Sequence, residues 1–321
     1  MTRTPAARRP AFTLIELLVV IAIIAVLAAI TTGVFARVRA AQTRSATDTT
    51  LTKINARLER RVKAVNDQVA DDAKNNHPGY AAVLSAVQNV DLAKAIWTYA
   101  KMKNELPMSF NEARAPVVIN GGPIATPITI AVIQPKAVFT ALPAGAPGGG
   151  PDESAVCLFL AVNSNAGGGT VADNDGLEQQ VGDSGLSGLK CFKDAWGTPI
   201  AFVRTAYNSE LSGKPFFNPT LSNPTPFDPF DPRGSGKLTT FSTGNPAWWN
   251  AIRAPVTWVA IPATYPVTPI QNHTWTAISA GANKQWGANA GGDVYGNGPD
   301  TDFGKDNHVS YRLRREGTRG D

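Results

Sequence analysis

The strongest constraint on this chain is AFTLIELLVVIAIIAVLAAI, residues 11–30, an apolar run broken by one carboxylate, Glu16. An acidic group deep in a bilayer costs about 2.5–3.5 kcal/mol on insertion scales, and such residues are usually functional. Leu14 to Ile30 is a 17-residue stretch, at the lower bound for a membrane span, and Thr31 to Phe35 extends it. The pattern therefore predicts a transmembrane segment over 12–35. Glu16 sits close to one end, where snorkelling lowers its cost, so an ordinary helix-end carboxylate is one reading. A conventional cleaved signal peptide, cut near Ala28 and Ala29, is another, and a carboxylate inside the apolar run weighs against it.

The residues around Glu16 form one compound pattern: Arg8, Arg9, Pro10, Ala11, Phe12, Thr13, Leu14, Ile15, Glu16, then unbroken apolar sequence. This resembles the class III signal of type IV pilins and of the pseudopilins of type II secretion. The resemblance implies a leader over 1–11, cleavage between Ala11 and Phe12 by a prepilin peptidase, and N-methylation of Phe12. Ala11 stands where the family usually has glycine. Glu16 then falls at the fifth mature position, which the resemblance assigns to assembly. An opposite charge in low dielectric stabilises a buried carboxylate, and the new ammonium at Phe12 of a shifted neighbour supplies one. The implied partners are a homo-oligomeric filament, other pseudopilins, an inner-membrane assembly platform and the peptidase.

Net charge adds little. Taking Arg3, Arg8 and Arg9 from the 30 basic residues leaves 27 against 25 acidic, a net of +2 after cleavage. No strongly basic patch with interleaved aromatics exists, which argues against nucleic acid. Arg3, Arg8 and Arg9 on one flank of the run balance Arg37, Arg39 and Arg44 on the other, so charge alone leaves orientation a near tie. The resemblance places the N-terminus in the cytoplasm, with a single pass through the inner membrane and a head in the periplasm or on an extracellular filament.

From Ala11 to His77 there is no proline and one glycine, Gly33, so continuous helix is expected from Phe12 to about Lys74. Leu51, Ile54, Leu58, Val62, Val65 and Val69 recur at intervals of three and four and form one stripe over 36–75. Arg57, Glu59, Arg60, Lys63 and Asp67 are read on other faces. The turn Asn76-His77-Pro78-Gly79 ends this spine and opens a head over 76–321. A second helix carrying Val83, Val87, Val90, Ala93 and Trp97 ends before Pro107. The apolar runs VVINGG, PITIAVI, AVCLFLAV, PIAFVRTAY, PVTWVAIP, HTWTAISAG and HVSYRLR then read as strands of an antiparallel sheet. Pro143–Gly150 and Asn218–Gly236 read as loop insertions. The fold class is α+β, a helical spine on a pilin-like head.

Two further segments resemble major pseudopilins. FKDAWGTPIAFVR (192–204) is similar to an aspartate-x-tryptophan-glycine-asparagine-proline element, matched by Asp194, Trp196, Gly197 and Pro199, with Thr198 in place of asparagine. There Gly and Pro set a turn and Trp196 lids the core; a generic turn with an aromatic lid reads the same way. TAISAGANKQWG (276–287) resembles the family's serine-x-glycine-alanine-aspartate-glycine segment, with Asn283 where an acidic residue is often found. In the family it leads into a calcium loop. Here Asp293, Asn297, Asp300, Asp302 and Asp306 offer oxygen donors in a glycine-rich stretch, so Ca2+ is the expected metal; a solvated acidic turn is the alternative.

Cys157 and Cys191 fall in the exported part, where a bridge is expected and would stabilise by roughly 4 kcal/mol. Two independent buried thiols are the other reading. The three histidines, His77, His273 and His308, sit in no nucleophile elbow, zinc helix or cysteine-paired spacing. APAGAPGGGPDES lacks the Lys-Ser/Thr end of a phosphate loop. No catalytic residues are assigned, and a structural subunit is the expected function.

Overall fold

The computed structural model describes residues 14–121, 128–146, 150–164, 176–186, 188–204, 275–282, 284 and 308–309, with the side chains of 31–34, 36, 308 and 309 excepted. The leader, the cleavage pair Ala11 and Phe12, and the candidate metal ligands Asp293, Asn297, Asp300, Asp302 and Asp306 lie outside these residues. So do Asn218–Gly236 and PVTWVAIP. The chain divides into two compact units, residues 1–45 and 46–321.

The first unit holds the start of helix α1 (Leu14–Lys74), the continuous helix expected from the absence of proline. Its large apolar side chains between Leu14 and Ile30 are 44–82% exposed. Among the described residues no helix is long and apolar enough to cross a membrane. At about 1.5 Å per residue, Leu14–Ile30 reaches about 25 Å against a hydrocarbon core of about 30 Å. The span expected over 12–35 therefore rests on the sequence.

In the second unit the predicted stripe is the core of the head. Leu51, Ile54, Leu58, Val62, Val65 and Val69 are each at most 5% exposed and share one cluster with Ile96, Trp97, Ala100 and Met102. Arg57, read from the sequence on a face other than the stripe, is also buried. It donates to Asn163, and its neighbour one turn on, Arg61, pairs with Glu105 at 2.7 Å and donates to the Ser164 carbonyl at 2.8 Å. A guanidinium can be enclosed when its donors are matched in this way, and hydrophobic periodicity does not register it.

The single second helix is two, α2 (Pro78–Val87) and α3 (Val90–Glu105). Gln88 at φ +50° leaves the helix, and Asn89 caps the next one by accepting from the Leu92 amide at 2.9 Å. The regular spacing of valines carries no trace of this break. Trp97 of α3 packs over Gly79, where a Cβ would come within 2.5 Å of the indole. Its Nε1 donates to Asp72 of α1 at 2.8 Å, and Lys101 pairs with the same carboxylate at 3.1 Å.

A short helix α4 (Phe110–Arg114) leads to strands β1 (Val117–Gly121) and β2 (Ile128–Ile133), then to helix α5 (Ala137–Thr140). The run AVCLFLAV, expected as a strand, is helix α6 (Pro151–Asn163). Pro151 and the acidic pair Asp152 and Glu153 occupy its first turn, as a helix start favours. Because Ala155, Val156, Cys157, Leu158, Ala161 and Val162 are all buried, the helix is apolar around most of its girth and shows no amphipathic period. Buried helix and buried strand then look alike in sequence.

The expected single sheet is three small antiparallel ones among the described residues: β1–β2, β3 (Val181–Asp183) with β4 (Lys190–Phe192), and β5–β6–β7. The last joins β5 (Ala201–Val203), β6 (Thr276–Ser279) and β7 (His308–Val309). Ser154 of α6 binds the outer side of β5: its Oγ donates to the Phe202 carbonyl and accepts from the Phe202 amide at 3.0 Å.

Arg204 follows β5 and clamps Glu112 of α4, with contacts of 2.8 and 3.2 Å, while the Met108 amide donates to the same carboxylate at 2.7 Å. Burial pushes the Glu112 carboxyl up, but Arg204, Lys103 and the Met108 amide outweigh it and hold it below its ordinary value of 4.5. A depressed carboxylate stabilises the fold above its unfolded value, and that contribution is lost as pH falls through its lower folded value. Urea unfolding midpoints should therefore decline below about pH 4.5, and Glu112→Gln should flatten that decline. At pH 7 the same substitution should lose about 3 kcal/mol, because it strips a buried Arg204 of its counter-charge.

Candidate functional site

Two features singled out in the sequence can be placed in the structure, one in each unit. In the first, Glu16 lies in the first turn of α1, exposed on a helix whose neighbouring large side chains are almost all apolar and open. Leu14, Ile15, Leu17 and Leu18 around it are 54–82% exposed. A contiguous apolar surface of this kind marks a membrane or protein contact rather than a water-facing helix. A carboxylate there favours a cationic partner, since low dielectric strengthens the pair once water is excluded.

In the second unit, the two C-terminal segments singled out in the sequence meet. Asp194 is 3% exposed and Ser279 fully buried, and the Ser279 hydroxyl donates to Asp194 Oδ2 at 2.6 Å. The other carboxylate oxygen accepts from the backbone amides of Trp196 at 3.0 Å and Thr198 at 2.8 Å. Asp194 thus holds its own turn, in which Gly197 takes φ +83°, a conformation that favours glycine. Next to it, the Ala195 amide donates to Thr47 of α1 at 3.2 Å. Ser279 Oγ also accepts from the Gly281 amide at 3.1 Å, fixing the turn after β6. Burial raises the Asp194 carboxyl above its usual range, against the opposing pull of these hydrogen bonds and of Lys284. Trp196, expected to lid the core, is half-buried.

Sequence reasoning named Asp194 and singled out the segment 276–287 that holds Ser279, but missed their bond, which spans 85 positions. It also missed Thr47, a threonine in a helix interior with no motif around it. The expected Cys157–Cys191 bridge is not formed: both are buried free thiols, on α6 and β4. Each fills core volume as a small apolar side chain, and burial pushes both thiols up, Cys191 to about 11. Among the described residues no three His, Cys, Asp or Glu side chains group as a metal site. His77 serves as a cap, its Nδ1 accepting from the Gly79 amide at 3.2 Å.

Residues 7–32 match the family model described as the prokaryotic N-terminal methylation motif. This is the prepilin-type signal of type IV pilins and pseudopilins, so the N-terminal resemblance is shown. The match identifies the signal and the start of the helix behind it; it does not reach the head. No curated protein and no solved structure matches the chain.

Ser279→Ala should lower head stability by about 2 kcal/mol, the scale for a hydrogen bond to a charged group. Ser279→Thr, which keeps the hydroxyl, should recover most of it. Thermal unfolding of the two variants side by side measures the difference.

Proposed function

We propose that this chain is a structural subunit of a type IV filament, held in the inner membrane before assembly, and specifically a pseudopilin-like component of a type II secretion pseudopilus. The methylation motif at residues 7–32 carries the reading. The exposed apolar start of α1 supports it, because such a surface requires lipid or sister helices around it. The secretion assignment draws on the aspartate-x-tryptophan-glycine turn at Asp194–Gly197 and its bond to Ser279. A pilin or minor pilin with adhesive loops is the nearest competitor, and a membrane-anchored periplasmic binding domain the next.

Mass analysis of the mature protein should show loss of residues 1–11 and a methylated Phe12. Glu16→Ala should leave membrane insertion intact and sharply reduce filaments seen by electron microscopy. A mature start near Thr31, or normal filaments from Glu16→Ala, would overturn the reading. Secretion and adhesion assays on a deletion strain separate the pseudopilus from the adhesive pilin.

We also infer that the segment between β6 and β7 binds calcium through Asp293, Asn297, Asp300, Asp302 and Asp306. Support comes from the pairing of Ser279 with His308, which brings the two ends of that segment together. Oxygen donors in a glycine-rich segment suit a large, flexible coordination sphere. The protein should melt at higher temperature in millimolar calcium than in chelator, with Asp300→Ala or Asp302→Ala removing most of the difference. A melting temperature indifferent to calcium would end the metal assignment without touching the filament one.

A further inference from the structure

The stretch of α1 that follows the apolar run has a charge pattern that the filament reading leaves unused. Between Leu17 and Thr47 there is no acidic residue, while Arg37, Arg39 and Arg44 supply three cations. All three are exposed, and none has a hydrogen-bond or ion-pair partner for its guanidinium among the described residues. Phe35 and Val38 beside them are 69% and 48% exposed.

Position along the helix is informative. Phe35 lies 21 residues beyond Leu14, or about 32 Å at the standard rise, just past a hydrocarbon core of about 30 Å. The arginines follow over seven residues, a depth of about 10 Å, which is the scale of a headgroup layer. Position around the helix is equally informative. At 3.6 residues per turn Arg37 and Arg44 fall on nearly the same side, and Arg39 falls roughly opposite, one turn above Phe35. A protein partner docks on one face of a helix. A lipid layer surrounds it, and cations on opposing sides suit the second case.

We propose that Arg37, Arg39 and Arg44 form a cationic collar that binds the phosphodiester groups of anionic phospholipids in the head-side leaflet, with Phe35 seated at the interface. The proposal rests on the membrane reading of residues 12–35. Guanidinium groups pair well with phosphate oxygens, and aromatic side chains favour the boundary between tails and headgroups. After leader removal these three are also the only arginine or lysine side chains flanking the apolar run before Lys53.

The test uses the full-length chain reconstituted into nanodiscs of equimolar phosphatidylcholine and phosphatidylglycerol, with retained lipid quantified by mass spectrometry after mild detergent extraction. The wild-type chain should retain phosphatidylglycerol over phosphatidylcholine by tenfold or more, and 0.5 M salt should abolish the preference. The triple variant Arg37→Gln, Arg39→Gln, Arg44→Gln should retain both equally while its head keeps the wild-type melting temperature. Millimolar inorganic phosphate should not displace the lipid; displacement would reduce the collar to a simple phosphate site and overturn the proposal. Incorporation with no lipid preference would overturn the collar and leave the membrane reading standing. Failure to incorporate into discs of either lipid would overturn the membrane reading, and the collar with it.

Discussion

The head depends on the burial of one stripe along α1. Six side chains from Leu51 to Val69 leave water together, and each contributes about 1.5–3 kcal/mol when fully enclosed. Among the described residues no other helix in the head is long enough to organise the rest. The α2–α3 pair, α6 and the three small sheets are each too short to hold a core unaided. The polar contacts along the same helix then fix register. Thr47 reaches the turn at Ala195, Arg57 and Arg61 reach the end of α6, and Asp72 holds Trp97 and Lys101. Apolar packing alone tolerates sliding by a turn. Four polar attachments at different heights do not.

This arrangement explains what could be read in advance. The long helix and its buried face were legible because proline is absent and the spacing is regular. Glu16 stood out because an ionisable group in an apolar run is costly enough to demand a reason. The prepilin signal followed from contiguous residues. Strands β1, β2, β5 and β6 were legible from short apolar runs bounded by glycine and proline.

The misreadings share a cause. The helix α6 was taken for a strand because burial on most sides erases the amphipathic period that would have revealed it. The break between α2 and α3 depends on one left-handed residue, Gln88, and one cap, Asn89, which composition does not flag. Arg57 was placed off the apolar stripe and Arg61 was not singled out, because only distant partners, Asn163 for the first and Glu105 and Ser164 for the second, make their burial tolerable. The Asp194–Ser279 bond is long-range in the same way. Local sequence specifies turns and faces, but contacts between distant polar groups depend on a packing that must already exist.

The attachment of Ser154 to Phe202 bears on crowding. Among the described residues β5 is an outer strand of its sheet, and an outer strand ordinarily presents open amides and carbonyls to any similar strand nearby. Here a side-chain hydroxyl occupies both backbone groups of the central residue. The strand is therefore blocked at its centre against a further partner. Where copies of this head crowd together, the centre of that one edge offers no free amide or carbonyl for a neighbouring strand to join.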